Sequence, residues 1–147
     1  MSLKTWKKEF YPKAASRVAK KEATAHSLRK WQGLTKTNLK KHELKIADNY
    51  VVPIIALYPE DRNFYYDGFF VNEQTCALCK KFLDEEADNH ACSKCPLYKA
   101  LGNISCASWD DETKKDGPYE IWLQKSNPIP MINALKKTLA LEKKGKL

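Results

Sequence analysis

Five cysteines stand out as the residues able to do chemistry: Cys76, Cys79, Cys92, Cys95 and Cys106, spaced C-x2-C-x12-C-x2-C-x10-C. A C-x2-C pair puts two sulfurs close together on a tight knuckle whose backbone N–H groups can point at them. Two such knuckles can close a tetrahedron around a d¹⁰ ion, with Zn–S near roughly 2.3 Å. Cys76, Cys79, Cys92 and Cys95 are therefore the expected ligands of one Zn²⁺. Four thiolates leave no open coordination position, so the expected site is structural and not hydrolytic. The metal would couple folding of residues 76–106 to its own binding, and the thiols must ionise for it to bind.

An iron–sulfur cluster is the competing cofactor, because four thiolates also serve such clusters. Cys95-Pro96 is similar to the Cys-Pro that ends ferredoxin-type motifs, but the other spacings differ from theirs. Cys106 reads as a buried spare thiol, a common state for free cysteine. It could also replace one of the four ligands or be redox-active. His90 lies between the two pairs and could substitute as a ligand; an exposed loop histidine is the plainer reading. No catalytic set is evident. The five glycines are scattered and form no phosphate loop. His26 and His42 lie in basic segments with no carboxylate motif beside them. The clusters Asp84-Glu85-Glu86 and Asp110-Asp111-Glu112 could bind a hard cation; solvated charge is the plainer reading.

The rest of the chain fits a metal-bearing protein of a reducing compartment. Its 147 residues suit a single domain with its own hydrophobic core. Residues 1–8 carry charge but no apolar core of a leader, so no signal peptide is expected and a cytoplasmic location is. No apolar run approaches the roughly 20 residues that span a bilayer. Clustered thiols in such a setting bind metal more often than they pair, and an odd number suits a closed disulfide framework poorly.

The formal charge of +8 is unevenly spread, with residues 1–45 holding 13 Lys and Arg against 3 Asp and Glu. Such asymmetry suits an acidic partner, either nucleic acid or an acidic protein. The residues expected to meet it are Arg17, Lys20, Lys21, Arg29, Lys30, Lys36, Lys40 and Lys41. The plainer reading is a solvated helix surface. Trp31 could stack a base, though packing in the core is its simpler role.

The elements that must position these residues read as follows. Residues 1–13 form an irregular arm anchored by Trp6, Phe10 and Tyr11. Residues 14–32 form a first helix, with Ala15, Val18, Ala25, Leu28 and Trp31 inward and Gly33 as a left-handed stop. Thr35 caps a second short helix, with Leu34 and Leu39 at the spacing of a hydrophobic staple and Leu44 inward. Residues 46–75 hold a hairpin, with Phe64–Tyr66 and Phe69–Val71 flanking the turn dipeptide Asp67-Gly68. Pro53 and Pro59 argue against a regular central strand there. A short helix spans 78–86. Another starts at Pro96 with Leu97, Tyr98 and Leu101 inward and ends at Gly102. Residues 107–117 read as a polar loop. Pro118 opens a helix, and Asn127-Pro128 starts a last one carrying Ile129, Ile132, Leu135 and Leu139 on its inner face. The tail from Lys143 frays. The expected fold is α+β, mainly helical. It is one small domain over 1–147: a basic helical region 1–45, a hairpin region 46–75, a four-cysteine zinc-knuckle segment 76–106 and C-terminal helices over 118–143.

Three stretches resemble a family of uncharacterised, mostly bacteriophage-encoded small proteins with paired CxxC motifs. They are Cys76-Ala77-Leu78-Cys79 with Cys92-Ser93-Lys94-Cys95-Pro96-Leu97-Tyr98; Gly102 and Cys106 with Pro118-Tyr119-Glu120-Ile121-Trp122; and Ala25-His26-Ser27-Leu28-Arg29-Lys30-Trp31-Gln32-Gly33-Leu34. The family pattern sets a fifth cysteine close to a Thr/Ser-Pro-Tyr. Here a polar insert separates Cys106 from Pro118, and Gly117 takes the Thr/Ser place. The resemblance implies a phage origin and a host-cytoplasm location; it supplies no activity. The expected function is a zinc-binding accessory protein, a binding module for nucleic acid or an acidic host or phage protein. The alternative is an iron–sulfur or thiol redox protein.

Overall fold

The computed structural model describes residues 2–55, 68–83, 92–107, 109–110 and 115–147. Among these are seven α-helices, a three-stranded antiparallel sheet and a separate two-stranded one, a mainly helical α+β arrangement. The helices are α1 Leu3–Phe10, α2 Ala23–Gln32, α3 Lys36–Lys41, α4 Ala77–Phe82, α5 Pro96–Ala100, α6 Pro118–Lys125 and α7 Ile129–Lys143. Strands β1 Leu44–Ala47, β2 Tyr50–Pro53 and β3 Phe69–Phe70 form the sheet in the order β1-β2-β3, and β4 Trp109–Asp110 pairs with β5 Lys115–Asp116. One hydrophobic core runs through these pieces, from Trp6 to Leu135.

The N-terminal arm is a helix rather than an irregular segment. Ser2 caps it, and Thr5 returns a bond to the cap, satisfying otherwise orphaned N–H groups. Trp6 and Phe10, four apart, share the buried face. Trp6 Nε1–H donates to the Gly33 carbonyl at 2.8 Å, latching α1 to the end of α2. Gly33 itself has φ −67, so it is not a left-handed stop. Its role is close packing, because a Cβ there would stand 2.5 Å from the Phe10 ring. Gly33→Ala should force Phe10 out of its site and lower stability by about 1–3 kcal/mol, read by urea unfolding.

The expected helix over 14–32 is interrupted. Two 3₁₀ turns, Ala15–Arg17 and Lys20–Glu22, precede α2, and Ala25 is exposed. The inner face of α2 is instead Ala23, Thr24, Ser27, Lys30 and Trp31. Trp31 packs edge-on against Trp122, so it belongs to the core. Thr35 does cap α3, accepting from Asn38 N–H at 3.3 Å, and Leu34 and Leu39 are both buried.

A hairpin forms upstream of the expected one. Leu44–Ala47 pairs with Tyr50–Pro53 through the two-residue turn Asp48-Asn49, both at positive φ, as tight hairpin turns require. The Asp67 side of the expected hairpin lies outside the described residues; Phe69–Phe70 pairs with β2. Pro53 does not bar β2 from the centre of the sheet. Ile54 N–H donates to the Glu43 carbonyl, so the alternating ladder turns the Pro53 nitrogen away from β1. On that other side, among the described residues, β3 pairs with Tyr50 and Val51.

Gly102, at φ +79, ends α5 as expected, with Asn103 N–H returning to the Tyr98 carbonyl. In α7 the buried positions are Met131, Ile132, Leu135 and Thr138. Ile129 faces outward; Pro128, which is buried, stands in register with Met131, Ile132 and Leu135 instead. Helix α7 packs along α2 and α5, and α4 rests on α2. This brings the cysteine-bearing helices against α2.

Candidate metal centre

Three separate stretches deliver the thiols. Cys76 is the N-cap of α4 and Cys79 lies in its first turn; Cys95 is the N-cap of α5, whose N1 is Pro96. Cys92 sits one turn before Cys95, whose N–H donates to the Cys92 carbonyl at 2.9 Å. Leu78 and Leu97 anchor the two helices in the core. Cys106 follows α5 after the Gly102 turn. All five cysteines are free thiols, partly shielded from solvent, and all five line one cavity of about 20 Å³. The four cysteines of the paired motifs are thus brought together, and Cys106 joins them. As the side chains stand, no group of three or more His, Cys, Asp or Glu among the described residues is placed to hold a metal ion. His90 and the cluster Asp84-Glu85-Glu86 lie outside the described residues, as do Asp111 and Glu112.

The surroundings are polar in a specific way. Ser27 Oγ lies 3.9 Å from Cys76 Sγ, and Ser105 Oγ lies 3.8 Å from Cys92 Sγ. Lys30, on the same face of α2 as Ser27, is 1% exposed. Its Nζ donates to the Thr75 carbonyl at 3.0 Å and lies 5.3 Å from the Trp31 ring centre. Among the described residues no carboxylate pairs with it. Lys30 therefore cannot belong to a partner-binding surface, against the sequence expectation: a helix-face lysine that reads as solvated is turned into the core. Beside it lies a second cavity of about 220 Å³, reached by Lys30, Tyr119, Cys76, Cys79, Cys92 and Cys106.

The thiols differ in their readiness to ionise. Cys76 is shifted down, first by the hydrogen bond from Cys79 and then by the Lys30 charge; Cys79 is shifted up by that same bond and by burial. Burial pushes Cys95 up to about 11 and Cys106 up to about 12. Burial lowers Lys30, and the nearby sulfurs of Cys76, Cys79 and Cys106 oppose that shift.

The polar insert does not part Cys106 from Pro118 in space. Strands β4 and β5 run out and back, and Tyr119 N–H donates to the Cys106 carbonyl at 2.8 Å. Gly117 is held against that carbonyl; a Cβ there would lie 2.3 Å from it. The obstacle is backbone, which cannot swing aside as a side chain can. Gly117→Ala should lower stability by about 1–3 kcal/mol, read by thermal or urea unfolding, with displacement of Cys106 visible in its NMR resonances.

The other basic residues named from the sequence divide. Arg29 Nε donates to the Glu9 carbonyl, and Lys41 pairs with the Glu9 carboxylate at 2.9 Å, so both fasten α1. Arg17, Lys20 and Lys21 are exposed; Lys20 and Lys21 share a cleft with Lys94 and Lys99. Lys36 and Lys40, on α3, border a different groove. His42 is buried and does meet a carboxylate, Glu9 Oε2 at 2.8 Å, with Thr5 Oγ1 2.9 Å from Nδ1. That contact spans 33 residues of sequence, which no local motif could reveal. The Thr5 hydroxyl also bonds Ser2 in the α1 cap, so the trio reads as a clasp between α1 and α3.

No described helix is long and apolar enough to cross a membrane. In comparisons with known proteins the chain matches no family model, no curated protein and no solved structure.

Proposed function

We propose that this chain is a zinc-stapled binding module, a small phage accessory protein of the host cytoplasm. Its basic surface would take nucleic acid or an acidic protein. One observation carries the metal: five thiols from three stretches share one cavity of about 20 Å³. That is about the space of a single water-sized occupant, which suits one ion. Cys76, Cys79, Cys92 and Cys95 are the proposed ligands. All four line the same cavity, which places them where a shared ion would have to sit. Cys106 is the spare thiol, held in place by Tyr119 N–H.

Lys30 supports the reading through charge. An ammonium group out of water with no carboxylate is expensive unless another anion balances it. Zinc with four thiolates carries two net negative charges, and Lys30 stands where it would offset one of them. Zinc would supply cross-linking here. Binding would fall to the exposed lysines and Arg17.

Elemental analysis of anaerobically purified protein, with a visible spectrum, tests the centre. One zinc per chain in a colourless sample is the expected result. Visible charge-transfer bands with iron would instead establish the redox alternative. Anisotropy of labelled duplex DNA across a salt series tests the nucleic-acid version. Phosphate contacts release counterions, so binding by Arg17, Lys20 and Lys21 should weaken steeply with salt. Absence of salt-sensitive binding would remove that version and leave an acidic protein.

A further inference from the structure

A groove of about 710 Å³ lies far from the thiols in sequence, between α3, β1 and the α6–α7 turn. Its floor is aliphatic, formed by Leu34, Leu39, Leu44 and Ile46. Its walls carry two large apolar side chains left in water, Ile54 at 51% exposure and Ile129 at 48%. Three exposed lysines border it: Lys36 and Lys40 from α3 and Lys125 from the end of α6. Among the described residues none of the three makes an ion pair, and no Asp or Glu lines the groove.

We propose that this groove is the docking site for a segment of an acidic partner protein, one bearing two or three aliphatic or aromatic anchors flanked by Asp or Glu. The inference rests on the binding-module reading and narrows its partner. Charge complementarity selects the occupant. Apolar anchors would cover Ile54 and Ile129, and carboxylates would meet the lysines bordering the floor. A second copy of this chain is disfavoured, since at net +8 it would bring like charge to a basic rim. Nucleic acid fits the lining poorly: single-strand sites use aromatic rings and arginine to stack bases, and this lining has neither. Three of the four residues of β1, an edge strand of the sheet, line the groove. An extended segment could therefore lie along it and add main-chain bonds.

The test is selection of a random 12-residue peptide library on the full zinc-loaded chain. Enriched peptides are then titrated by anisotropy. The expected result is enrichment of sequences that combine Asp or Glu with Leu, Ile or Phe. Lys36→Glu with Lys40→Glu and Lys125→Glu should weaken their binding about tenfold or more, as should Ile54→Ser with Ile129→Ser. All five positions are exposed, so the variants should fold, and far-ultraviolet circular dichroism checks that they do. No enrichment, or peptides that bind the variants as tightly as the parent, overturns the proposal. So does displacement of the peptides by duplex DNA, or a dimer in sedimentation that Ile129→Ser dissolves. Zinc content measured on the same samples keeps the readings apart. Failed selection on protein that holds its zinc sinks the groove alone, whereas selection that succeeds on zinc-free protein sinks the metal centre alone.

Discussion

Stripping the metal with a strong chelator at neutral pH is expected to lower the thermal midpoint by roughly 10–20 °C or to abolish a cooperative transition. Structural zinc sites bind with apparent free energies of about 10–16 kcal/mol in finger peptides. A whole domain is stable by only about 5–15 kcal/mol. A centre of that kind would therefore decide whether residues 76–106 fold. The consequence spreads because Ala77, Leu78 and Leu97 are core residues against α2 and α7. Cys79→Ser or Cys95→Ser should each reproduce the loss and give less than one zinc per chain. Cys106→Ser should retain one zinc, if the four paired cysteines are the ligands. The pH dependence has a definite sign. The thiols must ionise to bind, so the stabilisation is present near neutrality and is lost as pH falls and protons displace the metal. A chelated chain that melts with the parent midpoint would refute the centre.

Replacing Lys30 by Met is expected to weaken zinc binding by about ten- to a hundredfold, measured by competition with a chelator of known affinity. Met keeps much of the side chain's length and removes the charge. A stability measurement alone would be ambiguous, because the substitution also strips the Thr75 carbonyl of its donor, at about 1–3 kcal/mol. Zinc affinity separates the two effects. Losing the Thr75 bond acts on the folded chain with or without metal, whereas losing the positive charge acts on the dianionic thiolate centre. If Lys30→Met binds zinc as tightly as the parent, the lysine is not the counter-charge and its burial needs another cause.

Much of the local structure was legible from residue types. Thr35 and the Leu34/Leu39 pair declared α3 because capping and stapling involve neighbours in sequence. Pro96 and Gly102 marked both ends of α5, and Pro118 marked the start of α6, for the same reason. Errors arose where the deciding contact was distant. The α1 segment looked irregular because its apolar residues are few. Docking of Trp6 on Gly33 and Phe69 makes it a helix worth burying. The inner face of α2 does not show as an apolar stripe because Thr24, Ser27 and Lys30 are polar and buried. A hydrophobic pattern cannot identify a lysine whose solvent is replaced by sulfur, a carbonyl and an indole face. The two-residue turn at Asp48-Asn49 is a local signal, since Asp and Asn tolerate the positive φ it needs.

Sequence by itself determined the chemistry available: two C-x2-C pairs with metal-ligand spacing, and a basic excess concentrated in the first 45 residues. It also determined the caps and stops that punctuate the helices, because those depend on residues three or four apart. Only the tertiary structure decided that all five cysteines line one cavity, that Lys30 stands beside them, and that the insert returns Gly117 to Cys106. It likewise divided the basic residues into those fastening α1, those beside Lys94 and Lys99, and those over an aliphatic groove. Residue spacing encodes short-range geometry. Which distant faces meet is set by packing of the whole chain into one core.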